Sequence, residues 1–415
     1  MRLLLSTIGS RGDVQPLAAL AVQLLGLGEE VRVCAPPDFR EWIEGLGIPF
    51  VSIGPEVRST AKRGTSAVID RPTTEQMRQI AEATVATQFQ VLPVAAEGCD
   101  VLVGGGALQI SLRSLAEKNG VPYVYVSYCP VSLPSAHHAP PAWRGDLPAS
   151  GAVDHTRLWA EDAMRWNDSW GVALNHHRSL AGLGPVGDVR SHIFSEEPWM
   201  AADPILAPWP GGAEQAVVQT GAWILPDQRP LPADLERFLE AGEPPIYFGF
   251  GSIRGPENLS QDMVTAAREL GHRAILSRGW AELSLPDNGP DCLSLGEVNQ
   301  QALFQRVGAV VHHGGAGTTT AAARAGRAQV VMPQHYDQPY WAARVEQLGI
   351  GRAVTSGAPT STLTEALAGA MRPDVVRRAG SIADQVVTDG ALSAAHRLVA
   401  LAAGRSRREQ IGSQA

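Results

Sequence analysis

Apolar runs of four or five residues, each ending in a glycine-rich or polar turn, recur along this 415-residue chain with helical periodicities between them. Residues 3–6, 31–35, 50–53, 101–103 and 123–127 read as strands, mostly without a polar face, as in a parallel sheet covered on both sides. Residues 16–28 read as a helix, with Pro16 in its first turn and Gly28 at its end, and 38–46 and 74–97 as two more. The rhythm stops over 58–72 and 130–151, which lack an apolar period and predict long surface loops. Between about 206 and 245 the chain is dense in Pro and Gly and reads as a linker. Strands return at 246–250, 273–277, 307–311 and 329–332, with helices between. This pattern predicts an α/β protein of two doubly wound parallel-sheet domains facing across a cleft, with ligands at the carboxyl ends of the strands. The expected boundaries are 1–205, a linker over 206–245, 246–385, and a last helix with a tail over 386–415.

The chemistry sits in the turns that follow the strands. His312-His313-Gly314-Gly315-Ala316-Gly317-Thr318-Thr319 joins a buried strand to a helix expected to start near Thr318. Glycines let a backbone approach an anion, and free N–H groups and the helix dipole attract it. The histidines can donate to phosphate oxygens, and a Thr hydroxyl can cap the helix or join them. No Lys follows the glycines, so this is not a Walker loop, and the spacing is not that of a dinucleotide fingerprint. Gly9-Ser10-Arg11-Gly12-Asp13 follows the first strand: Arg11 suits phosphate, while Asp13 is either a helix cap or a base aimed into the cleft. Asp337 and Gln338 follow a strand too and offer acceptors and donors for sugar hydroxyls, unless Asp337 is only a cap. Ser252, Arg278 and Trp280 end strands of the second half, where Trp280 either stacks on a planar base or packs.

Composition narrows the partners. With 34 basic against 42 acidic residues the net charge is -8, which argues against nucleic acid. Cys34, Cys99, Cys129 and Cys292 form no C-x-x-C pair and read as buried thiols. No apolar run reaches the ~20 residues of a membrane span, and residues 1–5 are too short for a signal-peptide core. A soluble, cytoplasmic monomer without a membrane partner is the expectation.

Taken in order, the motifs at 9–16, 249–252, 277–281, 296–301, 312–319 and 337–340, with the linker segments 202–208 and 219–223, resemble the bacterial GT-B glycosyltransferases that decorate natural products. The likeness covers most of the chain and is greatest to those acting on glycopeptide antibiotic aglycones of the vancomycin type. It implies two Rossmann-like domains, the first holding the acceptor and the second a UDP- or dTDP-sugar, with the last helix crossing back onto the first domain. Ser10, Arg11 and Gly12 would then meet the diphosphate from the acceptor side. Ser252 and the loop from His312 to Thr318 would hold it from the donor side. Glu297 and Val298 would lie against the base, Asp337 and Gln338 against the sugar, and Asp13 would be the general base. Plant relatives carry His in the place of Asp13 and a Trp near 297; Glu297 here shifts the expected base wall to Trp280 or an aliphatic surface.

The resemblance implies inverting transfer of a hexose or amino-deoxyhexose to an acceptor hydroxyl. No Asp-x-Asp pair calls for a metal, and no cofactor beyond the sugar nucleotide is expected. An Asp13 near the reference pKa of ~3.9 would be an ionised but weak base. Another natural product as acceptor, a nucleotide-sugar epimerase and a non-catalytic partner protein are the alternatives.

Overall fold

The computed structural model describes residues 1–58, 73–141, 154–211, 216–251, 259–280, 283–355 and 357–412, the last nine of these by backbone alone. Two parallel sheets organise it. The first runs β3-β2-β1-β4-β5-β6-β7, from β1 (Arg2–Thr7), β2 (Glu30–Ala35), β3 (Phe50–Ser52), β4 (Val101–Gly105), β5 (Tyr123–Ser127), β6 (Trp199–Met200) and β7 (Val218–Gln219). The second runs β10-β9-β8-β11-β12-β13, from β8 (Ile246–Gly249), β9 (Ala274–Ser277), β10 (Cys292–Leu295), β11 (Ala309–His312), β12 (Ala328–Val331) and β13 (Gly351–Ala353). Counted from its own first strand, each sheet has the order 3-2-1-4-5-6, which β7 extends in the first, with a topological switch at β1/β4 and at β8/β11.

Strand burial follows the side-chain alternation. Leu3 and Leu5 enter one core cluster and Leu4 the opposite one, so the centre of β1 is apolar on both faces. In the second sheet Phe248, Val311 and Val330 face one cluster, while Tyr247, Ile275 and Val310 face the other. A third cluster joins the domains: Cys129, Met200 and Leu206 of the first meet Trp341, Val345 and Ile382 of the second.

Two elements depart from the expected bounds for physical reasons. The first helix starts at Arg11, not Pro16, because Ser10 and Asp13 form a capping box. The predicted linker contains two regular elements. β7 extends the first sheet, and helix Ala233–Glu240 packs Leu235 and Leu239 into the second domain. The crossover proper therefore lies between these two elements. The last helix, Gly390–Gly412, lies on the first domain: Ala391, Ala394, Ala395 and Leu398 join its core. At this hinge Gly390 lies against Gly221, where a Cβ on Gly390 would come within 2.5 Å of the Gly221 carbonyl carbon. The buried Asp203 carboxylate accepts from Ile205, Leu206 and Val387 N–H at 2.8, 3.0 and 2.7 Å, tying both crossings together.

Candidate active site

Asp13 lies at the β1/β4 switch. Its Oδ2 accepts the Ser10 N–H at 2.8 Å, so the capping role is real. The carboxylate is nonetheless half-buried against bare backbone. A Cβ on Gly9 would stand 2.2 Å from Oδ2, and one on Gly106 3.3 Å from Oδ1. Among the described residues no basic side chain is paired with it. Burial, only partly opposed by the Ser10 bonds, pushes its pKa up to about 6. The weak base expected near 3.9 is thus corrected to one titrating close to neutrality. Tyr128 at the end of β5 steadies the same turn, its hydroxyl donating to the Asp13 carbonyl at 3.1 Å.

Across the cleft, β11 runs into the glycine-rich loop. The two histidines divide the work. His312 is fully buried: its Nδ1 accepts the Gly314 N–H at 3.0 Å and its Nε2 faces Gln329 Oε1 at 2.9 Å. Both ring nitrogens are committed inside the fold, so the expected phosphate contact from His312 is replaced by a role in shaping the loop. His313 is the half-buried member of the pair, over Gly251 and Gly315. Burial lowers the two imidazoles to about 4 and about 3, leaving both neutral at physiological pH. The Nδ1 of His313 has no partner among the described residues. Gly314 has φ 93°, and a Cβ there would meet Val331 Cγ1 at 2.8 Å, which accounts for glycine at this turn.

The helix that follows is Ala316–Arg324, two residues earlier than expected, with Gly315 at its N-cap and no side-chain cap. The N–H groups of Ala316, Gly317 and Thr318 therefore lack helical partners. Thr319 spends its hydroxyl on Gly315 O at 2.9 Å and is buried, leaving Thr318 as the accessible hydroxyl.

Asp337 occupies the N-cap position of helix Gln338–Gln347 but makes no capping bond. Its Oδ2 instead accepts the Trp341 indole N–H at 3.0 Å. Burial raises it to about 6, opposed by that bond and reinforced by the Asp13 charge. Gln338 is buried, and its Oε1 accepts Gln334 and His335 N–H at 2.8 and 3.3 Å, leaving its amide nitrogen for a ligand.

The remaining site residues are placed less as expected. Arg11 crosses to the second domain, pairing with Glu297 at 3.2 Å while its guanidinium lies 3.5 Å from the Trp42 ring centroid. Glu297 is exposed and also 3.8 Å from Arg229, which pairs with Asp227. Val298 is half-buried against the second domain's core. Trp280 packs on the first domain's core cluster, so its packing role is the one observed. Arg278 is exposed beside Gly296. Ser252 lies outside the described residues, as do Ala281, residues 59–72 of the first predicted loop and 142–151 of the second. Trp42, Arg229 and Tyr336 face this cleft without a motif to mark them; only the glycine run after β4 was a visible sign of crowding around Asp13.

Residues 3–137 match the Glycosyltransferase family 28 N-terminal domain, and residues 263–396 the Erythromycin biosynthesis protein CIII-like C-terminal domain. The chain is 48% identical over 403 residues to Glycosyltransferase GtfE of Amycolatopsis orientalis, covering 96% of this chain and 97% of that one. It is 46% identical over 402 residues to the Vancomycin aglycone glucosyltransferase of the same organism, with the same coverage. Among solved structures it superposes on the glycotransferase of kitacinnamycin with a TM-score of 0.72 at 17% identity, over 96% of this chain and 98% of that one. Glycosyltransferase VinC in complex with dTDP gives 0.67 at 20% identity, over 97% and 99%. The two facing Rossmann-type domains and these matches make the molecule a GT-B enzyme that uses a nucleotide-diphosphate sugar. Within that class the chain belongs to the glycopeptide-antibiotic, vancomycin-type glycosyltransferase family.

Proposed function

We propose that this enzyme moves a hexose or amino-deoxyhexose from a UDP- or dTDP-sugar onto a hydroxyl of a vancomycin-type glycopeptide aglycone. The observation that carries the reading is Asp13, a half-buried carboxylate without a cation, across the cleft from an uncapped helix N-terminus. The acceptor oxygen attacks the anomeric carbon from the face opposite the diphosphate, and the bond to the diphosphate breaks with inversion. Asp13 takes the acceptor proton as the new bond forms. The N–H groups of Ala316, Gly317 and Thr318, the neutral His313, and Ser10, Arg11 and Gly12 from the other domain stabilise the departing charge. Asp337 and the Gln338 amide nitrogen hold the sugar, with Val298 and Arg278 toward the base. These groups supply the charge stabilisation that a metal would otherwise give, so transfer needs none. The 46% identity to a relative named as the Vancomycin aglycone glucosyltransferase supports the acceptor.

No helix among the described residues is long and apolar enough to cross a membrane. We place the monomeric enzyme in the cytoplasm, with its sugar-nucleotide supply. The test is mass spectrometry of products from UDP-glucose and dTDP-amino-deoxyhexoses offered with a heptapeptide aglycone, with a macrolide as control. Product with the macrolide alone would reject the acceptor, and product only with added divalent metal would reject the metal-free mechanism.

A further inference from the structure

Between β12 and helix Gln338–Gln347 one residue breaks a backbone rule. Among the described residues, two non-glycine residues have a left-handed φ: Ser195 at 64° and Tyr336 at 60°. A Cβ makes this region costly, and for a bulky aromatic it is an outlier that persists only where the surroundings enforce it. The enforcement is visible. Gln338 Oε1 accepts the N–H groups of Gln334 and His335, and its own N–H donates to His335 O at 3.3 Å, closing the loop on itself. The same Gln338 backs onto Gly314, where a Cβ would come within 3.1 Å of its carbonyl oxygen. The strained turn is thus clamped to the phosphate loop.

Its effect is to turn an aromatic ring out of the donor domain. Tyr336 is 45% exposed, although Trp341 and Tyr340 of the adjoining helix are buried or half-buried. Its hydroxyl faces Ser132, in the turn after β5 of the other domain, and has Asp13, Asp337 and Cys129 within electrostatic reach. The hydroxyl therefore lies near both the base and the sugar-binding carboxylate, reaching from one domain to the other.

We propose that Tyr336 is a specificity-determining residue: its ring walls the acceptor pocket, seats a flat aromatic acceptor and keeps water from the anomeric carbon. This rests on the aromatic glycopeptide acceptor proposed above. Without the wall, water competes: its oxygen bonds to the anomeric carbon, the bond to the diphosphate breaks, and Asp13 takes the water proton.

The experiment follows nucleotide diphosphate release and glycosylated product side by side in wild type, Y336A, Y336F and Y336G. Y336A should raise the aglycone KM about tenfold, the scale of one lost aromatic contact, with the donor KM changing less than about twofold. The share of donor lost to hydrolysis should rise several-fold, and Y336F should restore the wild-type partition. Y336G should show the same leak yet melt no lower than wild type, because glycine adopts φ 60° without strain. A merely structural role would move stability and both KM values together. Unchanged aglycone KM and hydrolysis in Y336A and Y336G, or parallel rises in both KM values, would overturn the proposal. A wild-type enzyme that glycosylates no aromatic aglycone would overturn both it and the acceptor assignment, whereas wild-type transfer with an unaffected Y336A overturns this inference alone.

Discussion

Asp13 does two jobs with one carboxylate, and the jobs separate by substitution. An Asn at 13 can still accept the Ser10 N–H, so D13N should keep the helix start but lose the proton acceptor. Turnover should fall about 10³-fold, within the usual range for a general base, while nucleotide affinity measured by calorimetry stays near wild type. The pH profile follows from the same burial. With Asp13 titrating at about 6, kcat/KM should fall on the acid side with an apparent pKa near that value. An acid limb near 4 would mean the carboxylate is solvated in the working enzyme. The stability sign is opposite to that of a salt-bridged Asp. Burial raises Asp13 and Asp337 in the fold, so their neutral forms favour it. That contribution is fully present below the unfolded carboxylate range of about 4 and is lost as pH rises through about 6. D13N should therefore melt no lower than wild type at pH 8.

At the scale of elements, the strand–loop–helix units hold the site, and the two histidines of the glycine-rich loop show how. His312 supports the loop and His313 faces out of it. H312A would strand the Gly314 N–H and the Gln329 amide in the core, costing on the order of 2–4 kcal/mol in denaturant unfolding. H313A should leave stability almost unchanged and raise the donor KM. The reverse pattern would exchange the two roles. Adjacent histidines cannot be told apart in sequence; what separates them is the strand's alternation, which sends His312 toward Gln329 of β12. The apolar runs of β1, β4, β8 and β11 and the turns after them were legible because strand burial and glycine chemistry are local. β6 and β13 were not: the first has two residues and the second, Gly351-Arg352-Ala353, has no strand composition. Pro16 misled the start of the first helix, since its missing N–H is tolerated while the capping box five residues earlier sets the boundary. Tyr336 carried no signal, because its role comes from a backbone angle and a neighbouring domain.

The whole molecule is two domains joined by an apolar seam and a hinge, and the charges on the cleft rim connect donor binding to that arrangement. Arg11 rises from the acceptor domain, yet its partner is Glu297 of the donor domain, with Arg229 beside it. Arg229 is itself paired with Asp227, so two arginines and two carboxylates balance on this rim before a donor enters. A diphosphate entering between the domains offers Arg11 better partners: bidentate pairing to phosphate is stronger than one partly exposed carboxylate contact. Donor binding must then exchange Glu297 for phosphate and give up the exposed pair, worth about 0.5 kcal/mol. E297Q should lower the donor KM about twofold by sparing that exchange. The gain should shrink as salt is raised, since the pair is screened. R11A should raise the donor KM about tenfold, the cost of a lost charge-assisted contact. The decisive arm is the double variant. If Glu297 acts by holding Arg11, E297Q has nothing left to release once Arg11 is gone, and R11A/E297Q should match R11A. A twofold gain that survives in the R11A background would place the effect of Glu297 on the base or on Arg229 instead.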